Sequence, residues 1–249
     1  MRLLVIVLCL LSERFLVHKV SFKRFAWFSR FAAEVGRYVG AVPFFASPWW
    51  TMAAMVLLPV LFTALILYVS CGWIYGLVGF VLQLAIFFLC LGPENPFYPE
   101  PAKEGAEEGE QAREYFSQVN GQLFAPIFWY ILAGASGVLA YRLIALGARE
   151  DGMKRTMGFL AGLLEWVPAR MEALLCLLVG NFQQGASFLL AGLLKGPSEN
   201  AHLLAETATR ALGKSAEHPA GMPEAEVLVE HALVLLLVVL ALFTLVAWL

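Results

Sequence analysis

Residues 50 to 91 contain no charged side chain. Roughly 20 apolar residues suffice to cross a lipid bilayer as an α-helix, so this stretch is long enough for two crossings. Its middle contains Ser70-Cys71-Gly72-Trp73, which predicts a tight turn between two helices. The stretch therefore predicts a helical hairpin inside a membrane and argues against a water-soluble domain.

Composition supports a membrane protein throughout the chain. Hydrophobic residues make up 60% and charged residues 14% of the sequence, whereas about 25% of a typical soluble domain is charged. We therefore predict an all-α, polytopic integral membrane protein with about four to six transmembrane helices plus interfacial amphipathic helices. The predicted crossings lie near residues 1 to 17, 50 to 69, 73 to 91, 123 to 148, 171 to 194 and 230 to 249.

Three segments interrupt this single membrane domain of residues 1 to 249. Residues 18 to 48 alternate basic with aromatic side chains, which predicts an amphipathic helix on the membrane surface and, in so apolar a chain, no nucleic-acid binding. Residues 92 to 118 are acidic and contain four prolines, which predicts a solvated, disordered loop. Residues 195 to 227 predict an extramembrane helix and loop, in which Glu206 and Arg210 pair at i,i+4.

The distribution of lysine and arginine predicts the orientation of the chain. With six crossings, eleven of these residues fall on one face and five on the other. The positive-inside rule then places the N-terminus and the Pro168 region outside the cytoplasm. If the first helix or residues 171 to 194 are re-entrant, four crossings remain and the Pro168 region can lie on the other face.

The segment Leu164-Glu165-Trp166-Val167-Pro168-Ala169-Arg170 predicts a corner between two helices. Proline has no N–H to donate and a fixed φ, so Pro168 is expected at the first position of a new helix. Arg170 then lies in the first turn, where the helix dipole disfavours a cation unless an anion joins it. Either the corner binds an anionic ligand, or Glu165 or a lipid phosphate neutralises Arg170.

Other polar side chains fall within or beside apolar segments, where ionisable groups are candidates for function. These are Glu13, Arg14, Arg142 and Asn181. The histidines have no ligand spacing and the cysteines form no C-x-x-C pair, so neither a metal site nor a cofactor is expected and the thiols are taken as free.

Several of these pieces, in order along the chain, resemble the AmpE family of inner-membrane proteins, which is associated with β-lactamase induction in Gram-negative bacteria. The resemblance is carried by Leu11-Ser12-Glu13-Arg14-Phe15, Leu123-Phe124-Ala125-Pro126-Ile127-Phe128-Trp129-Tyr130, Tyr141-Arg142-Leu143, the Pro168 corner and Gly180-Asn181-Phe182. AmpE proteins are similar in turn to CbiB-type cobalamin enzymes at the W-x-P-A-R corner and at the helix end Ala211-Leu212-Gly213. Two departures from the AmpE pattern are a shorter soluble loop and Glu165, where an aspartate is often found.

The resemblance implies a multi-pass protein of the bacterial inner membrane that senses or relays cell-wall state during peptidoglycan recycling. We predict a sensor or accessory protein; the alternatives are a CbiB-related synthase or ligase and a small transporter or lipid-binding protein. The expected partners are membrane lipids and a phosphate- or carboxylate-bearing metabolite, and homo-oligomerisation is left open. In one predicted site, Arg14, Arg142, Arg170 and Asn181 bind the ligand and Glu13 and Glu165 are the acid–base candidates.

Overall fold

The computed structural model describes residues 2–15, 25, 27–40, 48–70, 76–92, 97, 108–150, 152–214 and 220–246. Over these ranges the regular secondary structure is helical and contains no β-strand. Together with three helices that are long and apolar enough to cross a membrane, this confirms the predicted all-α membrane protein. In chain order the helices are α1 (Arg2–Phe15), α2 (Phe28–Gly40), α3 (Pro48–Val69), α4 (Leu77–Cys90), α5 (Glu108–Val119), a π-helix (Asn120–Phe124), α6 (Ala125–Gly147), α7 (Lys154–Leu164), α8 (Trp166–Val179), α9 (Phe182–Gly192), a 3₁₀ turn (Pro197–Glu199), α10 (Asn200–Ala211) and α11 (Met222–Val246).

The chain forms two compact units. The first unit comprises Met1–Asn95 and Pro126–Ala161, and the second comprises Pro96–Ala125 and Gly162–Leu249. Two of the boundaries fall inside helices, at Ala125-Pro126 in the first turn of α6 and at Ala161-Gly162 within α7.

Three helices among the described residues have the length and composition of membrane spans. They are Trp49–Val69, the continuous helix Gly109–Gly147 and Met222–Val246. α3 exposes large apolar side chains such as Leu58, Phe62 and Leu65, at 58 to 65% of their surface, as expected of a helix that faces lipid. Three spans by length are fewer than the four to six predicted, because α1 and α4 each contain only 14 residues.

The predicted surface helix of residues 18 to 48 is described from Phe28 to Gly40 as α2, while residues 18–24, 26 and 41–47 lie outside the described ranges. α2 is amphipathic, as predicted. Its apolar face, however, contains Phe28 and Ala32 and packs in a core with Met52 and Met55 of α3, together with Leu143, Leu146 and Met157. The helix therefore buries its apolar stripe against protein within the first unit.

The second unit is built around α8, which packs against α9, α10 and α11. The prediction of one continuous helix from 171 to 194 is wrong: the chain breaks at Gly180-Asn181 into two helices of 14 and 11 residues. Gly180 lies so close to α10 that a Cβ on it would overlap the carbonyl of Ala211, and the N–H of Asn181 donates to that carbonyl at 2.7 Å. The break is therefore stabilised by a tertiary contact that local hydrophobicity does not reveal.

The prediction of a loop from 92 to 118 is wrong for its last part. Glu108–Val119 form α5, and residues 93–96 and 98–107 of the predicted loop lie outside the described ranges. Arg113 of α5 forms a 2.8 Å ion pair with Glu206 of α10. Glu206 also pairs with Arg210 at 3.0 Å, which confirms the predicted i,i+4 pair. The contact between Arg113 and Glu206 joins the charged helix α5 to α10.

Candidate functional site

The corner lies in the second unit, and its helix begins two residues earlier than predicted. α8 starts at Trp166 with Glu165 before it, so Pro168 is the third residue of the helix instead of the first. A proline is tolerated there because the first-turn N–H groups have no partner within the helix. Arg170 consequently lies in the second turn, away from the positive end of the helix dipole.

The guanidinium of Arg170 is held by four protein oxygens. Its Nε donates to the carbonyl of Leu193 and its Nη2 to that of Lys195, both at 2.8 Å. Its Nη1 donates at 2.8 Å to the carbonyl of Trp166 and to Oδ1 of Asn200. An arginine has five N–H donors, so at most one remains for another ligand.

Trp166 completes this frame. Its ring lies under the Arg170 guanidinium, 4.1 Å from Cζ to the ring centroid, and its indole N–H donates to the carbonyl of Lys195 at 2.8 Å. Asn200 adds a bond from Nδ2 to the carbonyl of Gly162 at 2.7 Å. These contacts fix the end of α7, the start of α8 and the chain around residue 195 relative to one another, which makes the corner rigid.

A polar cavity of about 120 Å³ adjoins this frame within the second unit. Because one water in the liquid takes roughly 30 Å³, the cavity has room for about four waters or one small polar group. Its exposed rim contains Ser198 and Ala201, and its buried end contains Asn120, Asn200 and Leu204. Its other lining residues are Ser117, Gly162, Glu165 and Pro197.

Asn120, which lines the buried end of the cavity, carries an unsatisfied acceptor. Asn120 is 3% exposed, and its Oδ1 has no hydrogen-bond partner in the described part of the chain. Asn120 is the first residue of the π-helix Asn120–Phe124, and short π-helical turns are frequent at functional sites. A buried amide oxygen without a partner is costly, and this oxygen is itself inaccessible to water, so it marks a local cost of packing in the second unit.

Glu172 is a second unusual group of the same unit. It is completely buried, and neither carboxylate oxygen has a hydrogen-bond partner in the described ranges. Burial raises its pKa well above the usual value, so the neutral acid is favoured. Burial, and the charge that Glu172 would carry, likewise raise the pKa of the Cys176 thiol, one helical turn further along α8.

Asn181, a predicted ligand-binding residue, caps α9. Its Oδ1 accepts a hydrogen bond from the backbone N–H of Gln184 at 3.4 Å, which satisfies one of the N–H groups that a helix start leaves unpaired. Capping accounts for an asparagine at this position, and its role in ligand binding stays a prediction.

Arg142, Glu13 and Arg14 belong to the first unit. Arg142 is 4% exposed, and its Nε donates to the carbonyl of Cys90, the last residue of α4, at 2.7 Å. A cation is favourable at that helix end, so the geometry gives Arg142 a structural role. Glu13 is 4% exposed on α1, while Arg14 is exposed.

The second unit therefore contains Glu165, Arg170 and Asn181, and the first contains the other three predicted site residues. Their convergence on one site stays a prediction. Sequence reasoning missed Asn120, Ser117 and Asn200, which have in common that they are small polar residues in helical segments. For Asn120, the one signal in the sequence was the segment Asn120-Gly121-Gln122, whose two amide side chains directly precede the apolar run from Leu123.

Comparison with known proteins adds no relative to this description: no protein-family model, curated protein or solved structure matches the chain.

Proposed function

We propose that the protein is a sensor or accessory protein of the bacterial inner membrane, linked to peptidoglycan recycling and β-lactamase induction. It recognises a small polar part of a phosphate- or carboxylate-bearing cell-wall metabolite. The observation that supports binding is the polar cavity beside the corner, which adjoins the rigid frame around Arg170 and is lined by Glu165, Asn120 and Asn200. The link to the cell wall rests on the sequence resemblance.

The size and lining of the cavity favour recognition over catalysis. A cavity of about 120 Å³ is well below the roughly 300–1,000 Å³ of typical small-molecule sites, so it accommodates one group of a ligand and not two reacting substrates. Among the residues that the structure describes, Glu165 is the only ionisable one in its lining. General acid–base catalysis by a pair of groups would need a second one. For these reasons we prefer a sensor to the synthase or ligase alternative.

The test compares a strain that lacks the gene with the same strain complemented by wild type, Ala201→Phe or Ala191→Phe. Ala201 is exposed at the rim of the cavity, where a phenyl ring would block access, whereas Ala191 is exposed on α9 away from the cavity. We expect Ala191→Phe to restore β-lactamase induction and the cytoplasmic muropeptide pattern, and Ala201→Phe to fail at equal membrane abundance.

The controls separate the competing functions. Unchanged induction and muropeptides in the strain without the gene would reject the link to the cell wall. Turnover of a muropeptide by the purified protein in nanodiscs would favour the synthase or ligase, and uptake of it into proteoliposomes would favour the transporter.

A further inference from the structure

We propose that Arg113 of α5 and Arg210 of α10 together bind a phosphate group at the surface of the second unit. Both side chains are partly exposed, with 40% and 38% of their surface accessible. Neither residue lines the cavity beside the corner. The inference therefore goes beyond the proposed function and is tested separately from it.

A single carboxylate holds the two guanidinium groups side by side. Nη2 of Arg113 lies 2.8 Å from Oε2 of Glu206, and Nε of Arg210 lies 3.0 Å from Oε1 of the same side chain. Two oxygens of one phosphate are about as far apart as the two oxygens of a carboxylate, so a single phosphate is able to contact both arginines. Glu206 thus fixes the spacing of the two cations before a ligand binds.

The charge of this group remains positive after the internal ion pairs have formed. Two arginines share one glutamate, so one positive charge is left uncompensated. Glu110 and Glu114 lie within three residues of Arg113 on α5, but both are exposed and, within the part of the chain that the structure describes, neither forms an ion pair with it. The remaining charge attracts an anion.

Both arginines keep most of their hydrogen-bond donors available. An arginine has five N–H donors, and among the described residues Arg113 and Arg210 each donate one hydrogen bond, to Glu206. Arg170, in contrast, donates to four protein oxygens. Because a phosphate has several negatively charged oxygens, it accepts hydrogen bonds from two guanidinium groups at once. These donors therefore match a phosphate better than those of Arg170 do.

Stacking on an aromatic ring fixes the orientation of Arg210. Its Cζ lies 4.5 Å from the centroid of the Phe188 ring on α9, a distance at which the cation is attracted to the face of the ring. The guanidinium is thus held both by this ring and by Glu206. A side chain that is already ordered loses less conformational freedom when a ligand binds, and this distinguishes the pair from ordinary surface arginines.

The experiment measures the thermal unfolding midpoint of the full-length protein in phosphatidylcholine nanodiscs. The probe is inorganic phosphate, with chloride at equal ionic strength as the reference. We expect the wild-type midpoint to rise with phosphate concentration, since a ligand that binds the folded state stabilises it. Arg113→Gln and Arg210→Gln should each weaken the apparent affinity about two- to fivefold, the range of a partly exposed ion pair, and the double variant should not respond. Each variant is compared with its own midpoint in chloride.

Arg37→Gln is the matched control for the loss of one arginine. Its ion pair with Glu34 is exposed and belongs to the first unit, so the affinity for phosphate should not change. Equal responses to phosphate from Arg37→Gln and from the double variant would overturn the inference.

A charge placed beside the site provides a test that keeps both arginines. His202 is exposed one helical turn before Glu206, and its ring centroid lies 6.1 Å from that of Phe188. His202→Glu should weaken the affinity for phosphate about two- to fivefold by adding a carboxylate near Arg210. His202→Gln changes the same position without a charge and should bind phosphate as wild type does. Equal affinities of these two variants would contradict the proposal.

A second set of nanodiscs identifies the source of the phosphate. If it belongs to a lipid headgroup, nanodiscs that contain phosphatidic acid should raise the midpoint of wild type but not of the double variant, and should reduce the response to added phosphate. If it belongs to a soluble molecule, the two lipid compositions should give the same response to phosphate. A wild-type protein that responds neither to inorganic phosphate nor to phosphatidic acid overturns the inference, whereas the proposed function fails only if β-lactamase induction and muropeptides do not depend on the gene.

Discussion

Nη1 of Arg170 and Oδ1 of Asn200 lie 2.8 Å apart in the interior of the second unit. Through this hydrogen bond α8 is joined to the first residue of α10, and the same asparagine holds the carbonyl of Gly162 at 2.7 Å. The side-chain amide of Asn200 thus connects α10 to both α7 and α8, which lie 30 to 38 residues earlier in the sequence. The arginine that the sequence marks as a ligand-binding residue is, in the fold, the centre of a frame that shapes the neighbouring cavity.

Replacement of Asn200 by alanine should destabilise the protein strongly. The change leaves a buried guanidinium N–H and the carbonyl of Gly162 without partners, and each buried unsatisfied group costs about 1–3 kcal/mol. We expect a loss of about 2–6 kcal/mol in the free energy of unfolding, measured by chemical denaturation in detergent micelles.

Asn181→Ala is the matched control for this prediction. It removes an exposed helix cap, which typically contributes about 0.5–2 kcal/mol. Equal losses for the two variants would contradict a special structural role for Asn200.

Glu172 should make the stability of the protein decrease as the pH rises. Its pKa in the folded state is raised well above the usual 4.5 by burial, so the folded state retains a proton that the unfolded state releases. The contribution of Glu172 to stability is therefore largest below about pH 4.5 and is lost between that pH and the pKa of the folded state, by about 1.4 kcal/mol per pH unit. We expect Glu172→Gln to remove this slope in pH-dependent denaturation.

The exposed acid Glu114 on α5 serves as the comparison. Glu114→Gln should leave the wild-type slope unchanged. By linkage, a wild-type stability that rises between pH 5 and pH 8, and that loses this rise in Glu172→Gln, would mean that Glu172 is ionised and paired in the folded protein.

The apolar part of the fold could be predicted well because membrane crossing imposes a simple condition on length and hydrophobicity. α3 was predicted from Trp50 to Val69 and is observed from Pro48 to Val69. The fourth predicted helix was found as α6, although Gly134 interrupts it with φ 68° and ψ −157°, a conformation that glycine adopts without strain. Hydropathy does not reveal such a kink, since glycine counts as an ordinary small residue.

The candidate site could be predicted only in part, for a different reason. The corner was located correctly from Glu165, Pro168 and Arg170, since a proline between two apolar runs is a strong local signal. The partners of Arg170 lie 23 to 30 residues away at Leu193, Lys195 and Asn200. Nothing in local periodicity specifies which distant oxygens an arginine contacts, and a cavity is a property of packing between helices.

Gly180→Ala should separate α9 from α10. A Cβ at this position would overlap the carbonyl and the Cβ of Ala211, so the 2.7 Å hydrogen bond from the N–H of Asn181 to that carbonyl would also be disturbed. Overpacking of this kind costs typically about 1–3 kcal/mol. The expected readout is a lower thermal midpoint together with faster proteolysis near the α8–α9 junction.

Gly158→Ala provides the control, because a Cβ on that residue of α7 would meet no atom within 4 Å. Within a helix this substitution is favourable by up to about 1 kcal/mol. Gly180→Ala with the stability of wild type would show that α9 does not need close contact with α10.

Arg142 is expected to contribute to stability in the first unit independently of any ligand. Its Nε bond to the carbonyl of Cys90 at 2.7 Å joins α6 to the end of α4, and a hydrogen bond to a charged group contributes about 1.5–3 kcal/mol. Arg142→Ala should therefore lower the unfolding free energy by at least this amount in phosphate-free buffer. Arg37→Ala is the control: its ion pair with Glu34 is exposed and contributes about 0.2–1 kcal/mol. The opposite outcome would be a loss of unfolding free energy no larger for Arg142→Ala than for Arg37→Ala without phosphate, together with stabilisation by phosphate of wild type but not of Arg142→Ala. Arg142 would then be a ligand-binding residue rather than a structural one.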